Sequence, residues 1–380
     1  VLFPGVWELP ILLVLALVAV AATEPARPVV VRAVRRSPVD LTPFFRGATG
    51  RIVPYLAVAA LLVLFLVRDG SLGAEAGVRW LLVGGLILLV GARPAFLAVS
   101  TALVLALAVL VLQPAAIMRD RSFFGVTEVL RPAGAAQTTL MNGTTVHGVQ
   151  WTDPAKALLP TAYYAPPGPF GDVFETLASD GRPKSIAIVG LGAGALTSYL
   201  RPGWTMTYFE IDPLVAQVAS DPRFFTFLSS AVPTPTIVLG DARLSIQGVA
   251  DGQFDTIFID AFSSDAVPTH LLTSEAYALY SRVVKPGGLI VTHIPNRYYD
   301  LAPAVAGGLS ANKLSGVIRS FQPSRAESDA GAAATILTVG SSAPAGLDAF
   351  AAAGWRPLNQ TVPPMTDDFM DILRFLRPLW

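Results

Sequence analysis

Between Ser185 and Val339 the chain repeats one local pattern: a short apolar run, a turn rich in glycine or acid, then a stretch of helical texture. Strands are expected at Ser185 to Val189, Thr205 to Glu210, Thr236 to Leu239, Thr256 to Ile259, Gly288 to His293 and Ala334 to Val339. Helices are expected at Pro213 to Ala219 and Ser274 to Val284, with a short one after the first glycine turn. Strands alternating with helices build a parallel, doubly wound sheet. In such sheets ligands bind at the carboxyl ends of the strands. Residues that directly follow a strand are therefore the ones to read for chemistry.

The rest of the chain has a different texture. Four apolar stretches occupy Val6 to Ala22, Ile52 to Val67, Trp80 to Ala92 and Pro94 to Leu112. A bilayer core takes roughly 20 apolar residues, so the first, second and fourth are expected to span a membrane, while the third is short. The apolar fraction of 53% and mean hydropathy of +0.55 are high for an ordinary soluble enzyme. Segments 1–118 are accordingly read as a transmembrane helical region. The chain opens on Val1 within an apolar run with no charged region before it, which suits the later part of a longer protein better than a signal peptide. Formal net charge is zero, so no basic surface for nucleic acid is expected. There is no cysteine, hence no disulfide and no thiolate nucleophile or metal ligand.

Segment 119–170 reads as a small β-rich unit, "FFGVTEVL" through "TTLMNGTTVHGVQW", with Asn142-Gly143 as a tight hairpin turn. A Pro/Gly-rich passage, "YYAPPGPFGD", leads into the α/β unit, 171–380.

Four groups follow strands there. "IVGLGAGAL" places Gly190, Gly192 and Gly194 after the first strand, where small residues admit a ligand to the backbone and a following helix N-terminus favours negative charge. The spacing is not that of the dinucleotide fingerprint, and a structural turn explains it as readily. Glu210 lies about 20 residues past that loop, the offset of a ribose-binding acid; Asp212 assists or caps the next helix. Asp241, in "IVLGDAR", is either an adenine ligand or an ordinary turn residue. In "FDTIFIDAFSSDAVPTHLL", Asp260 ends a strand and Asp265 lies in the loop beyond, two carboxylates suited to binding a cationic amine and removing its proton.

Taken together, "FEID", "GDAR", Asp260 at its strand end and "VVKPGGLIVTHIPN" resemble the spermidine synthase (aminopropyltransferase) family, among the adenosylmethionine-dependent Rossmann-like transferases. The resemblance covers about Arg121 to Trp380 and is strongest to the membrane-fused branch, through "RSFFGV", "HGVQ", "YY" before "GP", and "TDDF". It implies a Rossmann-like fold with a small N-terminal β-domain, preceded by transmembrane helices. It implies transfer of an aminopropyl group from decarboxylated S-adenosylmethionine to a polyamine, with no metal. Asp260 would be the amine-binding base, helped by Asp265. Glu210 would hold the ribose and Asp241 the adenine. Gln150 would reach the donor, and Tyr163, Tyr164 and His293 would line the acceptor site. A homodimer is implied too.

Two departures bear on that reading. The family carries an acid within the glycine loop where this chain has Ala193, and its catalytic loop has a shorter spacing than "DAFSSD". A methyltransferase using S-adenosylmethionine, or a non-catalytic nucleoside- or polyamine-binding sensor, therefore stands beside the first reading. Asp367 and Asp368 either complete the acceptor site or cap a helix from Phe369. The arginine-rich loop between the first two apolar stretches is expected in the cytoplasm. A non-crossing third stretch would keep the catalytic domain there as well, on an integral protein of the cell membrane.

Overall fold

The computed structural model describes residues 116–143, 145–261, 268–359 and 362–377. The four apolar stretches, and with them the expected membrane region, lie outside the described residues. Among the described residues, no helix is long and apolar enough to cross a membrane.

Four antiparallel strands come first and pair in chain order: β1 (Ala116–Ser122), β2 (Gly125–Leu130), β3 (Gln137–Asn142) and β4 (Thr145–Trp151). β1 starts before the boundary expected at 119. Asn142 still pairs with Thr145, so the β3–β4 turn opens at Gly143 (φ 56°), one residue later than the Asn-Gly pair suggests. Leu140 pairs with Gly148 and Met141 with Val146. His147 is thereby left as an extra residue on β4, a bulge that takes it out of the ladder.

The Pro/Gly passage leads straight into a helix, α1 (Pro169–Ala178), with Pro at its first turn. Gly171 is required there, since a Cβ would fall 1.9 Å from the Pro166 carbonyl oxygen. The α/β unit continues with β5 (Ser185–Val189), β6 (Thr205–Glu210), α2 (Pro213–Ser220), β7 (Thr236–Leu239), α3 (Ala242–Gln247) and β8 (Phe254–Ile259). Next come α4 (Ser274–Val283), β9 (Val284–His293), α5 (Ala302–Ala311), β10 (Ser315–Phe321), α6 (Arg325–Asp329), β11 (Thr335–Ser341) and the short edge strand β12 (Arg356–Pro357).

The sheet order is β12-β10-β11-β9-β8-β5-β6-β7. β9, β8, β5, β6 and β7 are mutually parallel, as expected. The sheet as a whole is mixed, however, because β11 lies antiparallel between β9 and β10 and β12 pairs antiparallel with β10. Only a short loop and the five-residue α6 join β10 to β11. That is too little chain for the crossover a parallel neighbour needs.

Alternation along β5 divides the core. Ile186 and Ile188 pack with Phe170, Phe174, Tyr208 and Phe258 on one face. Ala187 and Val189 pack with Phe209, Ile257, Tyr277 and Leu309 on the other. Each fully buried large side chain contributes about 1.5–3 kcal/mol, so the central strands are the most firmly held. Their ends are where the acidic residues sit.

Candidate active site

The glycine loop, Glu210, Asp241 and Asp260 follow β5, β6, β7 and β8, four adjacent parallel strands. Strands lie about 4.8 Å apart, so the row from Asp260 to Asp241 runs roughly 14 Å along the carboxyl edge. A cavity of about 290 Å³ opens over this row, roofed by Phe124, Leu140, Asn142 and His147 of the small sheet.

Neighbouring backbone, rather than a ligand, dictates two of the glycines. A Cβ on Gly190 (φ 94°) would fall 2.3 Å from the Asp260 carbonyl oxygen, and one on Gly192 (φ 53°) 2.4 Å from that of His147. Gly194 (φ 79°) turns the chain into a five-residue 3-10 segment, Ala195–Tyr199, where an α-helix was expected. So short a segment supplies little of the dipole that would favour an anion.

Glu210 is buried and lines the cavity. Its oxygens accept from the backbone N–H groups of Leu191 and Asp212, each at 2.8 Å, which ties the glycine loop to the end of β6. Burial raises its carboxyl pKa, and those backbone donors oppose the rise. Asp212 caps α2 through Leu214 N–H at 2.9 Å and accepts from the Ser122 hydroxyl at 2.5 Å. Asp241 caps α3 through Leu244 N–H at 3.1 Å and also faces the cavity.

Asp260 anchors a buried polar chain. Its Oδ2 accepts from the Tyr164 hydroxyl at 2.5 Å, and its Oδ1 lies 2.6 Å from His293 Nδ1. His293 Nε2 lies 2.8 Å from the Thr335 hydroxyl. An ionised Asp260 can only accept, so Nδ1–H is the donor of that pair. Burial and the Asp260 charge push the Tyr164 phenol well above its ordinary pKa, so it stays a donor. Tyr163 donates to the Val146 carbonyl at 3.2 Å and packs against the rings of Tyr164 and His293.

Several expectations need correcting. Tyr163, Tyr164 and His293 do not line the cavity; Tyr164 and His293 lie behind Asp260, packed on Phe170, and Tyr163 packs on those two rings. Gln150 does not reach the cavity either. Its amide donates to Ala157 O (3.0 Å) and Thr226 Oγ1 (2.9 Å) and accepts from Thr226 N–H (3.0 Å), which commits both of its donors and one acceptor site to structural partners. Asp367 neither meets the cavity nor caps a helix. It clamps Arg243 with two hydrogen bonds of 2.7 and 2.8 Å, and only a 3-10 segment, Ile372–Phe375, follows. Asp265 lies outside the described residues.

Sequence reasoning missed His147. It lines the cavity, and its Nε2 is buried without a hydrogen-bond partner. Burial lowers its pKa against the pull of Asp260, which favours the neutral imidazole. Ala193, directly beneath β4, is 1% exposed and absent from the cavity wall. A Cβ on Gly148 would fall 2.4 Å from the Ala193 Cβ, so strand and loop touch there. Thr335, the far end of the Asp260 chain, was also missed; it shows only as the start of an apolar strand.

Four carboxylates, from Glu210, Asp212, Asp241 and Asp260, face this cavity, and no Lys or Arg lines it among the described residues. It is built for a ligand carrying positive charge and hydroxyl donors.

No family model matches the chain. It is 34% identical over 126 residues to a polyamine aminopropyltransferase of Vibrio vulnificus, and 28% identical over 124 residues to one of Korarchaeum cryptofilum. These matches cover 31% and 32% of this chain, and only 41% and 38% of the two relatives. Among solved structures, a probable spermidine synthase from Corynebacterium glutamicum aligns with a TM-score of 0.48 at 17% identity, over 65% of this chain and 92% of that one. Through the matched stretch the chain is similar to polyamine aminopropyltransferases, and it spans less than half the length of either relative.

Proposed function

We propose that this chain is an aminopropyltransferase, moving the aminopropyl group of decarboxylated S-adenosylmethionine to a polyamine. The observation that carries the reading is the acidic row, a cavity with four carboxylates and no Lys or Arg lining it among the described residues. An adenosyl sulfonium offers such a row ribose hydroxyls at Glu210, an amino-bearing base at Asp241 and positive charge toward Asp260. The bound donor supplies a sulfonium whose adjacent carbon is open to an amine, its sulfur leaving as a neutral thioether.

The chain's own residues then bind, align and move a proton. Asp260 takes the proton released when the acceptor nitrogen forms its new bond to carbon. Tyr164 and His293 hold the carboxylate in place from behind, and Thr335 fixes the His293 ring. Aligning the two reactants in one geometry supplies much of the rate. Membrane attachment through the apolar stretches, a cytoplasmic catalytic side and a homodimer belong to the same proposal and rest on the sequence alone.

The test is direct. The purified full chain, given decarboxylated S-adenosylmethionine and putrescine, should release methylthioadenosine. Binding of the donor without release would refute transfer to this acceptor. One observation favours a second reading, a methyltransferase: no acid stands in the glycine loop, because Ala193 occupies that place. Calorimetric affinities for the two sulfonium compounds separate them, since a methyltransferase should prefer the form that keeps its carboxylate.

A further inference from the structure

The cavity wall holds two buried side-chain polar atoms without a hydrogen-bond partner, the Thr127 hydroxyl and His147 Nε2, and only the second belongs to a ring that can serve as a strong acceptor. His147 Nε2 is buried and has no partner, whereas the other acids and amides around it are hydrogen-bonded to backbone or to each other. Such an atom is costly to bury unless a ligand meets it.

The backbone goes to some length to put it there. His147 is the extra residue of the β4 bulge, and bulges beside active sites re-aim side chains. Its carbonyl oxygen sits against Gly192 and accepts from Ala193 N–H at 3.3 Å, which fixes the residue's main chain on the glycine loop. The imidazole lines the same cavity as the ribose acid, Glu210, and Asp260, and it feels the Asp260 charge. Under the proposed function, that cavity holds the sulfonium and its short amine tail.

We propose that His147 is a donor-binding, specificity-determining residue whose Nε2 accepts a hydrogen bond from the ammonium of the aminopropyl tail. This rests on the aminopropyltransferase reading. An acceptor atom suits the site better than a charged one. The surrounding carboxylates already supply negative charge, and burial disfavours the imidazolium. A carboxylate-bearing tail would instead face Asp260 without a Lys or Arg in the described cavity wall to balance it.

The experiment compares adenosyl ligands that differ in what the sulfur carries, and methylthioadenosine has neither the tail nor the sulfonium charge. Decarboxylated S-adenosylmethionine, S-adenosylmethionine and methylthioadenosine, which lacks the ammonium, are titrated calorimetrically into the full chain, wild type and H147A. The expected result is a loss of roughly 10-fold or more for the decarboxylated donor, the size of one charge-assisted hydrogen bond. Methylthioadenosine should change less than about twofold, well under the loss expected for one hydrogen bond. H147Q, which keeps an acceptor, should recover most of the loss. Equal losses for both ligands would mark a purely structural histidine and overturn the proposal, as would no loss at all. A wild type that prefers S-adenosylmethionine, with the preference abolished in H147A, would overturn it too by making Nε2 a donor to carboxylate. If the wild type binds methylthioadenosine but neither sulfonium, the His147 assignment fails while the adenosyl site stands. If it binds none of the three, the proposed function falls, and this inference with it.

Discussion

Restoring an acid to the glycine loop, by Ala193→Asp, is a sharp test of how β4 sits on that loop. On sequence grounds the change should improve the binding of an amine-bearing donor. The structure predicts damage. Ala193 is 1% exposed, and its Cβ is in contact with the Gly148 position of β4, so a longer side chain has no open volume. Forcing extra atoms into packed surroundings costs about 1–3 kcal/mol. A carboxylate there also lacks a cationic partner. Its cheapest escape is to stay protonated, which at pH 7 costs about 4 kcal/mol for an acid of ordinary pKa near 3.9. The sum is about 5–7 kcal/mol, a fall in melting temperature of roughly 10 °C or more for a unit of this size. The buried tryptophans Trp204 and Trp355 report unfolding by fluorescence. The deficit should depend on pH in a defined sense. The introduced acid has a folded pKa above its unfolded one, so its penalty is absent below the unfolded value and grows as pH rises toward the folded one. The variant should therefore lie closest to wild type near pH 4 and furthest from it above pH 7. Unchanged melting at pH 7 together with tighter binding of the decarboxylated donor would refute the reasoning, because the loop position would then open on the cavity.

Asp260→Asn should lower turnover about 10²–10⁴-fold, the range for a lost general base, with methylthioadenosine affinity nearly unchanged; steady-state kinetics and calorimetry together check this. Thr335→Val leaves His293 Nε2 without its hydroxyl in a buried site. It should lower kcat about tenfold, near the cost of one such bond, without raising the donor KM, and Thr335→Ser should restore the rate. Glu210 has a raised pKa from burial, and ribose hydroxyls donating to its ionised form would lower that pKa. Donor binding near pH 5 should then release protons, seen as buffer-dependent calorimetric heats, and the release should vanish by pH 8 and in Glu210→Gln.

Local pattern carried the central strands, because the apolar runs ending in Glu210 and Asp260 are buried on both faces and leave little freedom in where they stop. The antiparallel insertion of β11 was not legible, since strand direction depends on the length of connecting chain rather than on the strand's own residues. The site divided in the same way. That Glu210, Asp241 and Asp260 end neighbouring strands and face one cavity followed from order along the chain. Gln150 was misplaced because a motif gives a residue's position in the chain but not which way its amide turns. His147 escaped because two-residue alternation describes a regular ladder, and the bulge breaks it at that residue. The motif "HGVQ" marked the stretch without giving His147 a role, and the glycine that follows, a weak strand position by alternation, is used by the structure for contact with Ala193.

That break in the ladder also affects how the protein can vary. Gly148 and Gln150 face the α/β unit through fixed contacts, so a change at either needs a matching change at Ala193 or Thr226. Position 147 has no cross-strand partner on β3, so its side chain can be exchanged without repacking the neighbouring strand. In a lineage of such proteins, the ligand preference of the cavity could drift at this one residue while the sheet around it stayed the same.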